Sequence, residues 1–340
     1  MKNFYLLFFA VFFLSACSDA KLVEISGKTM GTTYTVKVIA PKKYSKDKDL
    51  KTEIDKILKK INSAMSIYDK SSEISVFNKL EKNVYMKISS EFLSVLVLGQ
   101  KIYNMTNGAW DGTVGHLVNL WGFGNQKNKF EIPSQFEINE KLALTGFDKI
   151  VILADEMKIK KNINNIFLDL GSIAKGFGVD FVSDFLKDEG FSDFMVEIGG
   201  EVYVSGQNIK KEKWKIGINV PDSSAGLEDV ISIINISDKG VATSGTYRNF
   251  FKTHEKIYSH IIDPKTGRPV NNSLLSVTVI SGSCTFADGL ATGMLVMGAD
   301  KAIELCNGIE NTECMTIENQ NGFKVRYSRG FKKFVNMGID

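Results

Sequence analysis

An apolar segment near the C-terminus carries two oxygen-bearing side chains at a spacing that suits a metal ion. The segment "SCTFADGLATGMLVMG" spans residues 283–298 and contains Asp288 and Thr292. Residues four apart share one face of a helix, so the carboxylate and the hydroxyl would point the same way. Such hard oxygen donors suit Mg²⁺, which also leaves room for phosphate oxygens and water. A structural alternative stays open, in which Asp288 satisfies helix amides and Thr292 bonds back to a carbonyl.

A second segment, "FLDLGSIAKGFGVD" at residues 167–180, suits an anion. Asp169 stands at the end of a predicted apolar strand, and Gly171–Ser172 opens a predicted helix. The free amides and the dipole at a helix N-terminus attract negative charge. Lys175 follows in the first turn, where a cation is unfavourable for the helix itself. An anionic ligand would explain this lysine, and extension of its side chain to solvent is the alternative.

A third segment, "YSHIIDPKTGRPV" at residues 258–270, contains a loop that could line a site. Residues 264–267 form a predicted Pro-Lys-Thr-Gly turn. His260 precedes that turn on a predicted short strand with Ile261 and Ile262. The sequence leaves two roles open for this histidine, one structural and one in a binding or catalytic site.

The elements that must position these residues follow from hydrophobic periodicity and capping signals. Helices are predicted at 49–65, at 89–106 with Ser89 or Ser90 as the N-cap, at 172–190 with Gly190 as the stop, and at 285–297. Strands are predicted at 23–40, 194–204, 214–220, 230–236 and 274–281, with a hairpin at 150–161. Helices mixed with mostly antiparallel strands indicate an α+β fold. No domain boundary stands out, so residues 18–340 are expected to form one catalytic unit.

Composition and motifs exclude several function classes. The chain has 340 residues, a net charge of only +3 and four arginines, which argues against a nucleic-acid-binding protein. The glycine-rich dinucleotide and P-loop fingerprints are absent, as are the G-x-S-x-G and H-E-x-x-H motifs. Whatever phosphate chemistry the chain performs must therefore use another kind of site.

The N-terminus predicts export and a membrane tether. Residues 4–14 are a short apolar run behind Met1–Lys2, and "LSAC" follows at residues 14–17. This pattern resembles a bacterial lipobox, so residues 1–17 are expected to be a lipoprotein signal with Cys17 as the lipidated residue. An ordinary secretory signal with an incidental cysteine is the alternative. Two acyl signals suffice for stable anchoring.

The remaining cysteines do not have the spacing of a zinc site. They are Cys284, Cys306 and Cys314, an odd number that cannot all pair within the chain. A Cys306–Cys314 bridge is compatible with an oxidising compartment. Buried free thiols are the preferred interpretation.

Together, these segments resemble the ApbE family, the FAD:protein FMN transferases of bacterial envelopes. The resemblance runs from about Gly27 to Gly298 and rests on ordered sequence blocks. The blocks are "GKTMGTTY" (27–34), "MSIYDKSSEISVFN" (65–78), "GAWDGTVGHLVNLWGFG" (108–124), "LDLGSIAKGFGVD" (168–180), "VEIGGEVYVSG" (196–206), "VATSGTYRNFF" (241–251), "SHIIDPKTGRP" (259–269) and "ADGLATGMLVMG" (287–298). Eight blocks in the right order make the resemblance specific. It implies an ApbE-like fold, related to the T-fold, with mixed sheets and packed helices.

The resemblance also implies a role for particular residues. Flavin or FAD contacts are implied for Met30, Tyr68, Ala109, Trp110, Asp111, Asp169, Lys175 and Ile262, with the block at Ala109 acting partly through its backbone. Mg²⁺ ligands are implied at Asp288, Thr292 and Ser172, the serine often through its carbonyl. His260 lines the same pocket and is the preferred general base, because Asp288 is a poor base while it ligates a metal. The histidine could instead protonate or hydrogen-bond the leaving AMP phosphate.

The reaction implied by the resemblance is Mg²⁺-dependent transfer of FMN from FAD to a threonine hydroxyl of a partner protein, with release of AMP. The partner is expected to be a subunit of an envelope redox complex. The enzyme itself is expected to be a periplasm-facing lipoprotein, with the inner membrane favoured over the outer. Two alternatives stay open. One is an FAD pyrophosphatase that uses the same metal site and yields FMN and AMP; the other is a lipoprotein that binds flavin without turnover, which leaves Asp288 and Thr292 without a role.

Overall fold

The computed structural model describes residues 20–124, 132–222, 224–226, 228–247, 250–253, 256–320 and 322–335. The predicted signal segment and Cys17 lie outside the described residues. The α-helices of the described part are α1 (Asp47–Met65), α2 (Glu73–Lys79), α3 (Ser90–Met105), α4 (Gly115–Leu120), α5 (Gln135–Ala143), α6 (Ala174–Asp188), α7 (Cys284–Met297) and α8 (Ala299–Asn307).

The strands of the described part are β1 (Ala20–Thr29), β2 (Thr32–Pro41), β3 (Met86–Lys87), β4 (Ile150–Leu153), β5 (Lys158–Lys161), β6 (Phe194–Ile198), β7 (Glu201–Ser205), β8 (Trp214–Asn219), β9 (Val230–Ile236), β10 (Lys239–Gly245), β11 (Phe250–Thr253), β12 (Lys256–Ser259), β13 (Ile262–Asp263), β14 (Arg268–Pro269), β15 (Leu274–Ser281), β16 (Glu313–Asn319) and β17 (Phe323–Tyr327). Helices mixed with antiparallel strands confirm the predicted α+β class.

An eight-stranded antiparallel sheet organises the fold, in the order β1-β2-β6-β7-β10-β15-β16-β17. One face of the sheet packs against α6 and α7. Val36 and Val38 of β2 belong to the same buried hydrophobic cluster as Val179 and Val182 of α6. The β8–β9 hairpin covers the other face. Helix α7 is apolar on nearly all sides because it lies between this sheet and helices α3 and α6.

Two predicted strands are hairpins. Residues 23–40 divide into β1 and β2 at Met30–Gly31, and residues 194–204 divide into β6 and β7 at Gly199–Gly200. All four turn residues have positive φ, which glycine tolerates best. The prediction of single strands was wrong because a two-residue turn scarcely interrupts the polar-apolar alternation.

Other predicted elements are confirmed with small changes in their bounds. Helix α3 has Ser89 as its N-cap, with the serine side chain accepting a hydrogen bond from Phe92 N. Helix α6 begins at Ala174, two residues later than predicted, and its cap residue is Ile173. The segment leading to Asp169 belongs to no strand, so the predicted apolar strand there was wrong.

The three cysteines of the described chain are buried free thiols, as preferred from their number and spacing.

In the described ranges, no helix is long and apolar enough to cross a membrane.

Candidate functional site

Helices α6 and α7 cap each other's N-termini. Asp288 of α7 accepts a hydrogen bond through Oδ2 from Gly176 N in the first turn of α6, at 3.0 Å. Asp180 of α6 accepts from Cys284 N at 2.8 Å and from Thr285 N at 2.9 Å, in the first turn of α7. A Cβ added at Gly176 would lie 2.5 Å from Cys284 O, so glycine is what permits this approach. The two caps fix the position of Asp288 relative to α6.

A central cavity of about 450 Å³ opens beside these helix ends. This volume lies within the range of small-molecule sites. Ten of the residues predicted from the sequence line it: Ala109, Trp110, Asp111, Asp169, Ser172, Lys175, His260, Ile262, Asp288 and Thr292. Residues from four sequence blocks therefore converge on one concave surface.

A side cavity of about 610 Å³ adjoins the central one and contains the other two predicted residues, Met30 and Tyr68. The two cavities share Asp169, Gly171 and Lys175 as a common wall. Met30 occupies the β1–β2 turn with φ of 49°, and the Tyr68 side chain is exposed. A tyrosine with 76% of its surface accessible has a ring face free for stacking on another ring.

Lys175 lies in the wall between two buried carboxylates. Its Nζ is 2.7 Å from Glu201 Oε1 and 3.8 Å from Asp288 Oδ1. Burial alone would lower the pKa of Lys175, but the two carboxylates raise it above its ordinary value. Burial raises the pKa of Glu201, and the nearby charge of Asp288 raises it further. Burial also raises the pKa of Asp288, against the opposing effects of Lys175 and of the Gly176 amide.

Sequence reasoning missed Glu201 as a site residue. It begins β7 directly after the Gly199–Gly200 turn, lines the central cavity and is only 5% exposed. Its second oxygen, Oε2, is buried and meets no hydrogen-bond partner among the described residues. The available signal was a carboxylate at the start of a largely apolar strand, comparable to the carboxylate in an apolar run that marks Asp288.

Both oxygens of the Asp111 carboxylate are engaged by hydrogen bonds within the protein. Its Oδ1 accepts from Thr113 N at 2.8 Å and from Thr113 Oγ1 at 2.6 Å, and its Oδ2 accepts from Phe147 N at 3.2 Å. Burial nevertheless raises the pKa of Asp111 to about 6. A ligand in the central cavity would therefore meet this segment mainly through its backbone and through Trp110, whose Nε1 donates to Ser172 Oγ at 3.0 Å.

The turn before α6 does not offer the free amides expected from the sequence. Gly171 N donates to Asp169 Oδ1 at 2.9 Å, and Ala174 N donates to Leu170 O. Together with the bond from Gly176 N to Asp288, these contacts occupy three of the amides that an anion would use. The prediction of free amides was wrong for these three positions, because side chains and the preceding turn already accept their hydrogen bonds. Positive charge at this wall comes from Lys175.

Thr292 and His260 also line the central cavity. The Thr292 hydroxyl lies 2.9 Å from the Ser244 hydroxyl on β10, so it contacts the main sheet. His260 lies between β12 and β13, outside the strand predicted for it, and its ring centroid is 6.3 Å from that of Phe123.

Within the described part of the chain, no three His, Cys, Asp or Glu side chains cluster closely enough to hold a metal ion. Hard oxygen donors are present: a carboxylate at Asp288 and hydroxyls at Thr292 and Ser172. This set fits Mg²⁺ if the bound substrate supplies further oxygens.

Comparison with known proteins identifies close relatives. The profile of the ApbE family matches residues 30–316. A protein of Vibrio cholerae named FAD:protein FMN transferase is 40% identical over 337 residues, which cover 99% of this chain and 100% of the relative. A protein of Haemophilus influenzae with the same name is 40% identical over 326 residues, covering 94% of each chain.

Solved structures agree with the sequence comparison. The flavin transferase ApbE from Vibrio cholerae superposes with a TM-score of 0.84 at 41% identity, covering 93% of this chain and 99% of the other. The apo form of the flavinyl transferase ApbE from Pseudomonas stutzeri also gives a TM-score of 0.84, at 32% identity, covering 94% of this chain and 98% of the other.

Proposed function

The chain belongs to the ApbE family, and on that premise we propose that it is a transferase that moves the FMN half of FAD onto a protein acceptor. The observation that supports this most directly is the pair of adjoining cavities with Lys175 and Asp169 in their shared wall. A ligand with two halves joined by a pyrophosphate fits such a pair. The flavin would stack on Tyr68 beside Met30, and the pyrophosphate would lie at Lys175.

Mg²⁺ would be held by Asp288, Thr292 and Ser172, with phosphate oxygens completing its coordination. When bound there, the ion would neutralise negative charge that develops on the pyrophosphate. Lys175 adds a fixed positive charge at the same wall. The Gly176 amide holds one oxygen of Asp288, so the other oxygen is left at the cavity for a cation.

In the transfer step, the residues of this chain position the reacting groups and move a proton. A threonine hydroxyl of the acceptor attacks the FMN phosphorus, the bond from that phosphorus to the bridging oxygen breaks, and AMP leaves. His260 accepts the hydroxyl proton as general base. If water takes the place of threonine, the products are free FMN and AMP.

We also propose a place and a partner for this activity. The "LSAC" segment supports lipidation at Cys17 and attachment to the bacterial cell envelope, with the body facing the periplasm and the inner membrane favoured. The acceptor would be a threonine-bearing subunit of an envelope redox complex.

The test uses residues 18–340 with FAD, Mg²⁺ and an apo-acceptor subunit that the Vibrio cholerae relative can label under the same conditions. Intact mass of the acceptor and released AMP are measured for the wild type, for Asp288→Asn and for Asp184→Asn, an exposed carboxylate on α6 as control. An FMN-sized gain on the acceptor, lost only in Asp288→Asn, supports the transferase and the role of Asp288. AMP and free FMN without labelling would instead indicate a pyrophosphatase. FAD that stays bound without release of AMP would indicate a protein that binds flavin without turnover.

A further inference from the structure

We propose that Glu201 is a positioning residue that holds the Lys175 ammonium away from Asp288, so that one Asp288 oxygen stays available to a divalent cation. The inference rests on the proposed metal-dependent transfer and assigns a role to a residue outside the predicted ligand set. Lys175, Glu201 and Asp288 place three charged groups in one buried wall.

The ammonium of Lys175 lies closer to Glu201 than to Asp288. The distances are 2.7 Å to Glu201 Oε1, a full hydrogen-bonded ion pair, and 3.8 Å to Asp288 Oδ1, at the outer limit of one. Asp288 Oδ2 is already engaged by Gly176 N. Oδ1 is therefore the oxygen for which Lys175 and a metal ion compete.

Without Glu201, Lys175 would have a single carboxylate partner. A lysine side chain is flexible, and a movement of about 1 Å would bring its ammonium into direct contact with Asp288 Oδ1. In a buried wall such a pair is strong, and a cation would have to displace it. Glu201 prevents this collapse by offering the nearer partner.

The surroundings of Glu201 suit this role. The side chain is 6% exposed, so its pair with Lys175 is little screened. No described residue donates to its second oxygen, so Lys175 is the principal group it holds. A Cβ at Gly199 would lie 3.3 Å from Lys175 Cδ, so this glycine, two residues before Glu201, leaves room for the lysine stem.

The experiment measures Mn²⁺ binding by electron paramagnetic resonance, without FAD, in the protein of residues 18–340. Glu201→Gln should weaken Mn²⁺ binding about tenfold or more, because Lys175 then pairs with Asp288. Adding Lys175→Met to Glu201→Gln should restore the affinity, which a damaged site would not do. Glu197→Gln, on the same hairpin, is the matched control and should bind Mn²⁺ as the wild type does.

Glu201→Asp separates positioning from net charge. Aspartate keeps the charge but withdraws the carboxylate by one methylene. If Glu201 acts by positioning Lys175, this variant should bind Mn²⁺ more weakly. If only the charge of Glu201 matters, its Mn²⁺ affinity should not change. Unchanged affinity in Glu201→Gln or in Glu201→Asp would refute the inference while leaving the metal site intact. Wild-type binding no tighter than that of Asp288→Asn would refute the metal site itself, and the role of Glu201 with it.

Discussion

Replacing Asp180 with asparagine should loosen α7 from α6 and thereby disturb Asp288. The Asp180 carboxylate accepts four hydrogen bonds at the start of α7: from Ser283 Oγ at 2.6 Å, Cys284 N at 2.8 Å, Thr285 N at 2.9 Å and Thr285 Oγ1 at 2.6 Å. Asparagine keeps one acceptor oxygen and turns an amide NH₂ toward the other partners. The two hydroxyls can rotate to accept from that NH₂, but a backbone N–H cannot.

The expected cost follows from that one orphaned amide. A buried N–H without a partner costs about 1–3 kcal/mol, and loss of a negative charge at a helix N-terminus costs about 0.5–1 kcal/mol more. Burial raises the pKa of Asp180, so the charged form is itself costly and removing it offsets part of the loss. We expect the unfolding free energy to fall by about 2 kcal/mol.

Urea unfolding followed by tryptophan fluorescence measures this loss, and hydrogen exchange reports the amides of Cys284 and Thr285. The matched control is Asp184→Asn, one turn further along α6, where the carboxylate is exposed and forms an ion pair with Lys187. Its cost should stay within about 0.5 kcal/mol. Equal losses in the two variants, or unchanged protection of both amides in Asp180→Asn, would show that the mutual capping does not hold the helices.

Two further predictions concern the same region. Burial raises the pKa of Asp111 from its ordinary 3.8 to about 6, so its charged form costs stability on the order of 3 kcal/mol above pH 6 and none below pH 4. The stability advantage of the wild type over Asp111→Asn should therefore grow as pH falls from 7 to 4 in urea titrations, and a constant difference would contradict the assignment. Gly176→Ala should destabilise the protein by about 2 kcal/mol and reduce flavin transfer, because its Cβ meets the rigid backbone oxygen of Cys284. Gly178→Ala on the same helix meets only mobile side-chain ends at 3.0 Å, so a comparable loss there would rule out the backbone clash as the cause.

The sequence predicted most of the site because its chemistry stands out locally. Asp288 and Lys175 each conflict with their surroundings, one as a carboxylate in an apolar run and the other as a cation at a helix start. Both are found in the wall of the central cavity. Helices with strong periodicity, such as α1 and α3, were likewise predictable from single segments.

What the sequence did not reveal depends on contacts between distant segments. The Met30–Gly31 turn was hidden because two residues of turn leave the alternation of the strands almost unbroken. Glu201 was missed because its partner, Lys175, is 26 positions away and its burial depends on how β7 meets α6. No periodicity within one element reports such a contact.

The two interpretations of Asp288 raised by its sequence are compatible, because the residue has two oxygens in different settings. Oδ2 satisfies a helix amide, but the amide belongs to Gly176 of α6 and not to the helix that carries Asp288. Oδ1 faces Lys175 at the wall of the central cavity. A bond to the neighbouring helix fixes the carboxylate without using both oxygens, and a rigid, half-occupied carboxylate is what a cation site needs. The side chain of Asp288 therefore both holds α6 to α7 and serves as the proposed metal ligand. Substitutions that separate the two helices should weaken cation binding even when Asp288 itself is not substituted.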